Sequence, residues 1–211
     1  MKKYLLFVCM AVIASLYVSG CACGDEEKEY EDKMRLALDA AARSEQKERT
    51  FFLGFTVGMT DEQVTNHLDS LVRIGKVYLQ GYNKRYTYNY TASSGTIQQQ
   101  ITFSPRYYNG RLYRMDYCIV NEEFGHIKGD HLWMMLDFEK TKRNDGFETW
   151  DKKEPDGTTT YFKVKDNLII MFYDSPSESV MSYEDAPTAR KAEQSEKEEN
   201  EKKWKESASE F

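Results

Sequence analysis

The sequence is poor in the residues that most often build chemistry or staple small domains. Its 211 residues include 4 cysteines, 4 prolines and 3 histidines. Four cysteines, with Cys118 far from Cys9, Cys21 and Cys23, exclude a dense disulfide scaffold. His67, His126 and His131 include no pair at the i, i+4 spacing of a helical zinc site. His126, Asp130 and His131 read instead as a polar loop before a helix. No Gly-rich phosphate loop and no Gly-x-Ser-x-Gly elbow occurs. Glu122, Glu123, Asp137 and Glu139 are among many acids, and nothing marks two of them as an acid–base pair. Cys118 lies in a strand-like run with no His tied to it, which makes it a quiet thiol rather than a nucleophile. The sequence therefore assigns no catalytic residue, no metal and no cofactor.

A basic surplus is also missing. Lys2 and Lys3 open the chain, and without residues 1–20 the 29 basic residues fall to 27 against 35 acidic ones, a net charge of −8. Nucleic acid is excluded as a partner, because phosphate binding needs clustered Lys and Arg. Docking on anionic lipid through a basic face is excluded on the same ground.

What is present begins with the first 20 residues. Lys2 and Lys3 are followed by an apolar run from Tyr4 to Tyr17, then by the small residues Ser19 and Gly20. These are the three parts of an export signal. The run is shorter than the ~20 residues a spanning helix needs. Val18-Ser19-Gly20-Cys21 resembles the lipobox of bacterial lipoproteins, which implies cleavage before Cys21 and lipid attachment to its thiol. Two or more acyl chains would hold the mature protein stably at a bilayer. The acidic stretch Asp25-Glu26-Glu27-Lys28-Glu29 resembles the surface-export signal of Bacteroidetes lipoproteins. The resemblance implies an outer-membrane lipid anchor, on the periplasmic or the cell-surface side.

The remainder divides by pattern. Residues 21–48 form the lipid attachment and an acidic tether, with Tyr30, Met34, Leu38 and Ala41 at helical spacing. Thr60-Asp61-Glu62-Gln63 is a capping box, and Val64, Leu68, Leu71 and Val72 give one apolar face before Gly75, so a helix is expected over 61–74. Strand-like runs follow at 77–82, 85–92, 97–107 and 111–120. Tyr86, Tyr88 and Tyr90 alternate with polar residues, and Tyr113, Met115, Tyr117 and Ile119 are expected on one face. Asn109-Gly110 is a strong hairpin signal. A first α+β unit is expected over 49–124.

A second unit is expected over 125–185, with a helix at 131–142 and strands near 147–151, 158–165, 168–173 and 178–183. Leu112-x-x-Met115-x-Tyr117 and Leu168-x-x-Met171-x-Tyr173 each follow a turn, which favours duplication. Residues 186–211 are nearly all charged or small and read as a helical or disordered tail.

The fold class expected is α+β, helices packed on an antiparallel meander sheet, in two tandem helix-plus-four-strand units. Gly58-Met59-Thr60-Asp61-Glu62-Gln63-Val64 resembles the Gly-Met-Thr that opens a helix in beta-lactamase-inhibitor-like and BamE/SmpA-like lipoprotein domains. The resemblance covers 51–120 and implies a non-catalytic envelope protein that binds another protein through its sheet. Tyr86, Tyr88 and Tyr90 are the candidate binding surface. The alternative is a surface glycan-binding protein or glycan-active enzyme for nutrient capture.

Overall fold

The computed structural model describes residues 27–45, 48–80, 85–92, 95–120, 146–155, 158–174 and 178–208. Residues 1–20, Cys21, Cys23 and the expected helix at 131–142 lie outside them, as do His126, Asp130, His131, Glu122, Glu123, Asp137 and Glu139. The chain divides into two units, Met1–Ala37 and Leu38–Phe211.

In the first unit the described residues are helical. They belong to α1, residues 27–41. Its solvated surface carries Lys33–Glu29 at 2.7 Å and Arg35–Asp32 at 2.8 Å, pairs at the spacings a helix brings together.

The second unit is α+β. Helix α2 (Asp61–Arg73) precedes strands β1 (Val77–Gln80), β2 (Arg85–Ala92), β3 (Gly95–Tyr108) and β4 (Arg111–Val120). Strands β5 (Glu148–Lys153), β6 (Thr159–Lys165), β7 (Leu168–Asp174) and β8 (Glu178–Asp185) follow, then helix α3 (Ala186–Ala208). All eight strands form one antiparallel sheet in the order β1-β2-β3-β4-β8-β7-β6-β5. It is two four-stranded meanders joined at their last strands, with Met115 opposite Tyr183 and Tyr117 opposite Met181.

Local chemistry accounts for the elements. The Thr60 hydroxyl accepts from the Gln63 N–H at 3.2 Å, and the Thr60 N–H donates to the Gln63 side chain at 2.9 Å, so the capping box is complete. The Asn109-Gly110 turn has φ of +49° and +70°, the positive values a tight primed turn requires. Gly58 has φ +87°, with nothing near enough to meet a Cβ, so backbone conformation and not space demands glycine there. Its N–H donates to the Leu112 carbonyl, and the Leu112 N–H to the Met59 carbonyl, which ties the start of α2 to β4.

The front of the sheet holds the main core. Val64 and Leu71 of α2, with Phe51 and Phe55 from the preceding segment, pack on Val77, Tyr88, Ile101, Leu112, Met115 and Tyr117. The same core continues across the seam through Met181, Tyr183, Phe172, Ile170 and Leu168. A smaller cluster on the back joins Ala41 and Ala186 to Val164 and Ile169, flanked by Leu38, Trp150, Phe162 and Met171.

The matched Leu-x-x-Met-x-Tyr segments are not structural equivalents. A bulge lies where β3 pairs with β4, between Arg106 and Tyr107, and puts Leu112 and Met115 on the same face. Strand β7 has no such shift, so Leu168 faces the front core while Met171 faces the back cluster. The bulge also removes Tyr113 from the face of Met115 and Tyr117, placing its hydroxyl group among Arg106, Glu184 and Arg114.

The tail departs from its composition. Ala186 and Ala189 at the start of α3 are buried, and the described side chains from Glu193 onward are exposed. Asn167 anchors that start. Its amide donates to Asp185 at 2.6 Å and to the Glu48 carbonyl at 2.9 Å, while its carbonyls accept from the backbone N–H of Glu48 and of Ala186. Asp185 also accepts from the Thr188 hydroxyl. Asn167 precedes β7 at a turn and works as a buried clamp.

Candidate functional site

The tyrosine stripe is where the sequence placed a binding surface, and its described side chains, Tyr86 and Tyr88, lie on the core face of the sheet. Tyr88 is 4% exposed and belongs to the front core, its ring edge-on to Phe52 at 5.5 Å. Tyr86 is half-buried on the same face, edge-on to Phe103 at 5.2 Å. The side chain of Tyr90 lies outside the described ones. Tyr88 is thus withdrawn from the proposed platform, because the segment before α2 lies over this face. Rings that alternate with Thr and Asn fill a covered sheet as readily as they line an open one.

Two further tyrosines of the same sheet are also engaged in the fold. The Tyr107 hydroxyl donates to Asp61 at 3.0 Å, and burial followed by that carboxylate pushes its phenol far above the usual range. Tyr117 is wholly buried and donates to the Phe52 carbonyl at 2.8 Å. His67 of α2 is half-buried against Phe55 with ring centres 4.7 Å apart. Its Nε2 lies 2.8 Å from the Leu53 carbonyl, which can only accept, so that nitrogen carries the proton. His67 thereby fixes a turn in which Leu53 has φ +58°.

The densest polar cluster lies on the back of the seam. Arg114 Nε meets Asp116 at 2.6 Å and its Nη1 meets Glu184 at 3.1 Å. Ser182 donates to Asp116 at 2.6 Å, and Arg106 approaches the second Asp116 oxygen at 3.3 Å. Burial pushes the Glu184 carboxyl up, against the pull of Arg114. Burial alone would lower Arg114, but Asp116 and Glu184 carry it above its ordinary value. Each charge in the cluster has its partner within it, so the cluster binds β4 to β8. Among the described residues no group of three or more His, Cys, Asp or Glu is placed to hold a metal ion.

The remaining candidate is the β1 edge of the sheet. Strand β1 pairs with β2 through Val77–Tyr88, Tyr78–Thr87, Leu79–Tyr86 and Gln80–Arg85. Among the described residues no strand pairs with its other side. In an antiparallel strand alternate residues turn both backbone groups outward, so two of these four residues present an N–H and a C=O to the outside. Beyond β1, residues 89–92 of β2 continue the edge as a step.

Exposed apolar side chains flank it: Ile74 at 73%, Tyr78 at 48% and Leu79 at 54%. The pairing register puts Leu79 on the front and Tyr78 on the back, so both sides of the edge are apolar. No sequence signal of an edge marked these residues, because edge or centre is decided by pairing and not by local pattern.

The far edge differs. Strand β5 reads Glu-Thr-Trp-Asp-Lys-Lys, and every described side chain on it except Trp150 is exposed. Among the described residues no helix is long and apolar enough to cross a membrane. Comparison of the chain with family models, curated proteins and solved structures finds no match.

Proposed function

We propose that this chain is a lipid-anchored, non-catalytic protein of the cell envelope that binds a protein partner, anchored through Cys21 and binding through the open end of its sheet. The observation that carries the binding half is the β1 edge, which no other described strand pairs with and which exposed apolar side chains flank on both faces. Edges of this kind pair with added strands unless charge, proline or a covering segment blocks them. The anchoring half is supported by the leader and by Val18-Ser19-Gly20-Cys21. The reading moves the expected contact from the sheet face to the sheet edge, since Tyr88 is inside the core.

Two measurements test it. Labelled palmitate should enter the wild-type chain and be lost from Cys21→Ala; label retained in the variant removes the anchor at Cys21. A photo-crosslinking residue placed at Tyr78, at Asp151 and at Tyr161 in producing cells should give a protein adduct at Tyr78 and none at Asp151. Absence of adducts at all three positions, from chain that is folded and exported, would refute the binding reading.

A further inference from the structure

The charge around β1 points to a kind of partner. Residues 73–85 contain Arg73, Lys76, Lys84 and Arg85 and no acidic residue, within a chain of net charge −6. Arg73 at the end of α2 is exposed. Lys76 carries its ammonium 5.4 Å from the centre of the Tyr88 ring, just before β1. Neither has an acidic partner among the described residues, whereas Arg106, Arg114, Lys152, Arg190 and Lys203 each have one. The apolar edge thus begins at two cations that no acidic side chain among the described residues pairs with.

We propose, resting on the binding reading above, that β1 takes up an extended acidic segment of another protein as a ninth strand. The outward N–H and C=O groups of β1 supply backbone pairing, as in other strand additions. An added strand sends side chains alternately to the two faces. Its central residues would meet Leu79 on the front and Tyr78 on the back, which favours apolar ones. One of its ends would meet the cations that precede β1, Arg73 and Lys76, while Lys84 and Arg85 follow β1 in the sequence, which favours Glu or Asp at both ends. A second copy of this chain fits less well, because β1 against β1 would bring two basic runs together.

The probe is a fluorescein-labelled ten-residue peptide with two glutamates at each end and a valine-rich centre, added to the whole chain in detergent and followed by anisotropy. Binding should weaken as salt rises. It should vanish when alternate backbone nitrogens of the peptide are methylated, a control that leaves the protein untouched. A peptide with lysines in place of the glutamates should bind at least about tenfold more weakly. The double variant Arg73→Glu/Lys76→Glu, which leaves the strand pairs intact, should bind the acidic peptide about tenfold more weakly.

Binding that survives backbone methylation, or that does not distinguish the two peptides, overturns the proposal. So does sedimentation showing a dimer that Tyr78→Lys disperses, since the occupant is then a second copy. No peptide binding, combined with protein adducts at Tyr161 but not Tyr78, sinks this inference and leaves the broader binding reading standing.

Discussion

The two ends of the sheet meet the same hazard in opposite ways. Strand β5 is outermost at one end and carries Glu148, Asp151, Lys152 and Lys153, all exposed. Lys152 reaches Glu154 at 3.0 Å, so even its neighbour is charged. Charged side chains on an outer strand oppose strand addition. Strand β1 is outermost at the other end and reads Val-Tyr-Leu-Gln, with no charge within it. Both strands were built by the same rules of alternation and turn. The difference lies in the side chains each shows to a passing chain. A strand left open at one end of a sheet guarded at the other marks a surface under a different demand.

That comparison requires the exposed side chains of β1, Tyr78 and Leu79, to be dispensable to the fold, with stability coming from the interior. The largest effects should therefore fall at the centre. Tyr117 is fully buried and edge-on to Phe52, Phe103 and Tyr183 at 5.2, 5.7 and 5.9 Å. Tyr117→Ala should lower unfolding free energy by about 4 kcal/mol in urea denaturation, as loss of a large buried ring does. Tyr117→Phe should cost about 1 kcal/mol by leaving the Phe52 carbonyl without its donor.

The same residue sets an alkaline limit. Burial, then Tyr183 and Asp116, push the Tyr117 phenol well above its usual 10.0. The folded chain keeps that proton where the unfolded chain releases it. Its contribution is complete below pH 10 and falls as pH rises beyond it, by about 1.4 kcal/mol per pH unit. Tyr117→Phe should flatten the loss of stability between pH 10 and 11. An unchanged slope would mean that Tyr117 ionises freely and is not enclosed.

Next in size is the seam. Asp116→Ala leaves Arg114, and behind it Arg106, facing Ser182 with no carboxylate at that point. Removing one partner of a largely buried ion cluster should cost about 3 kcal/mol. Asp151→Ala on the outer strand β5 should change stability by less than about 0.5 kcal/mol. Equal costs at the two positions would show that the seam is no more important than the edge.

These contrasts also show what the sequence disclosed. The limits of β2 and β4, the Asn109-Gly110 turn and the capped start of α2 all follow from short-range patterns, and the structure has them. Breaking the cap with Thr60→Ala should cost about 1 kcal/mol, measurable by the same denaturation. The pairing of β4 with β8 was not legible, because it joins residues some 65 apart with no local mark. The inward turn of Tyr88 was hidden for a related reason. Alternation says that one face is special, and only the covering segment with Phe51, Phe52 and Phe55 says which environment that face meets. Arg114 and Asp116 alternate with the core residues of β4, and form a cluster because β8 brings Ser182 and Glu184 beside them.

The variants with the smallest effect on stability should separate the two edges most sharply. Leu79→Lys puts a charge on β1 at an exposed position that contributes little to the core. It should shift unfolding free energy by less than about 0.5 kcal/mol. The reciprocal variant, Asp151→Val/Lys152→Thr/Lys153→Val, removes three of the four charges of β5, whose ion pair is exposed, again with little effect on stability. Its expected consequence is association: sedimentation should show concentration-dependent oligomers that the wild-type chain does not form. If the triple variant stays as dispersed as wild type, charge is not what guards β5. If Leu79→Lys unfolds the sheet instead, β1 is a structural strand and its apolar side chains belong to the fold. Only a chain that tolerates charge at β1 and associates without it at β5 keeps one edge open by design of its sequence.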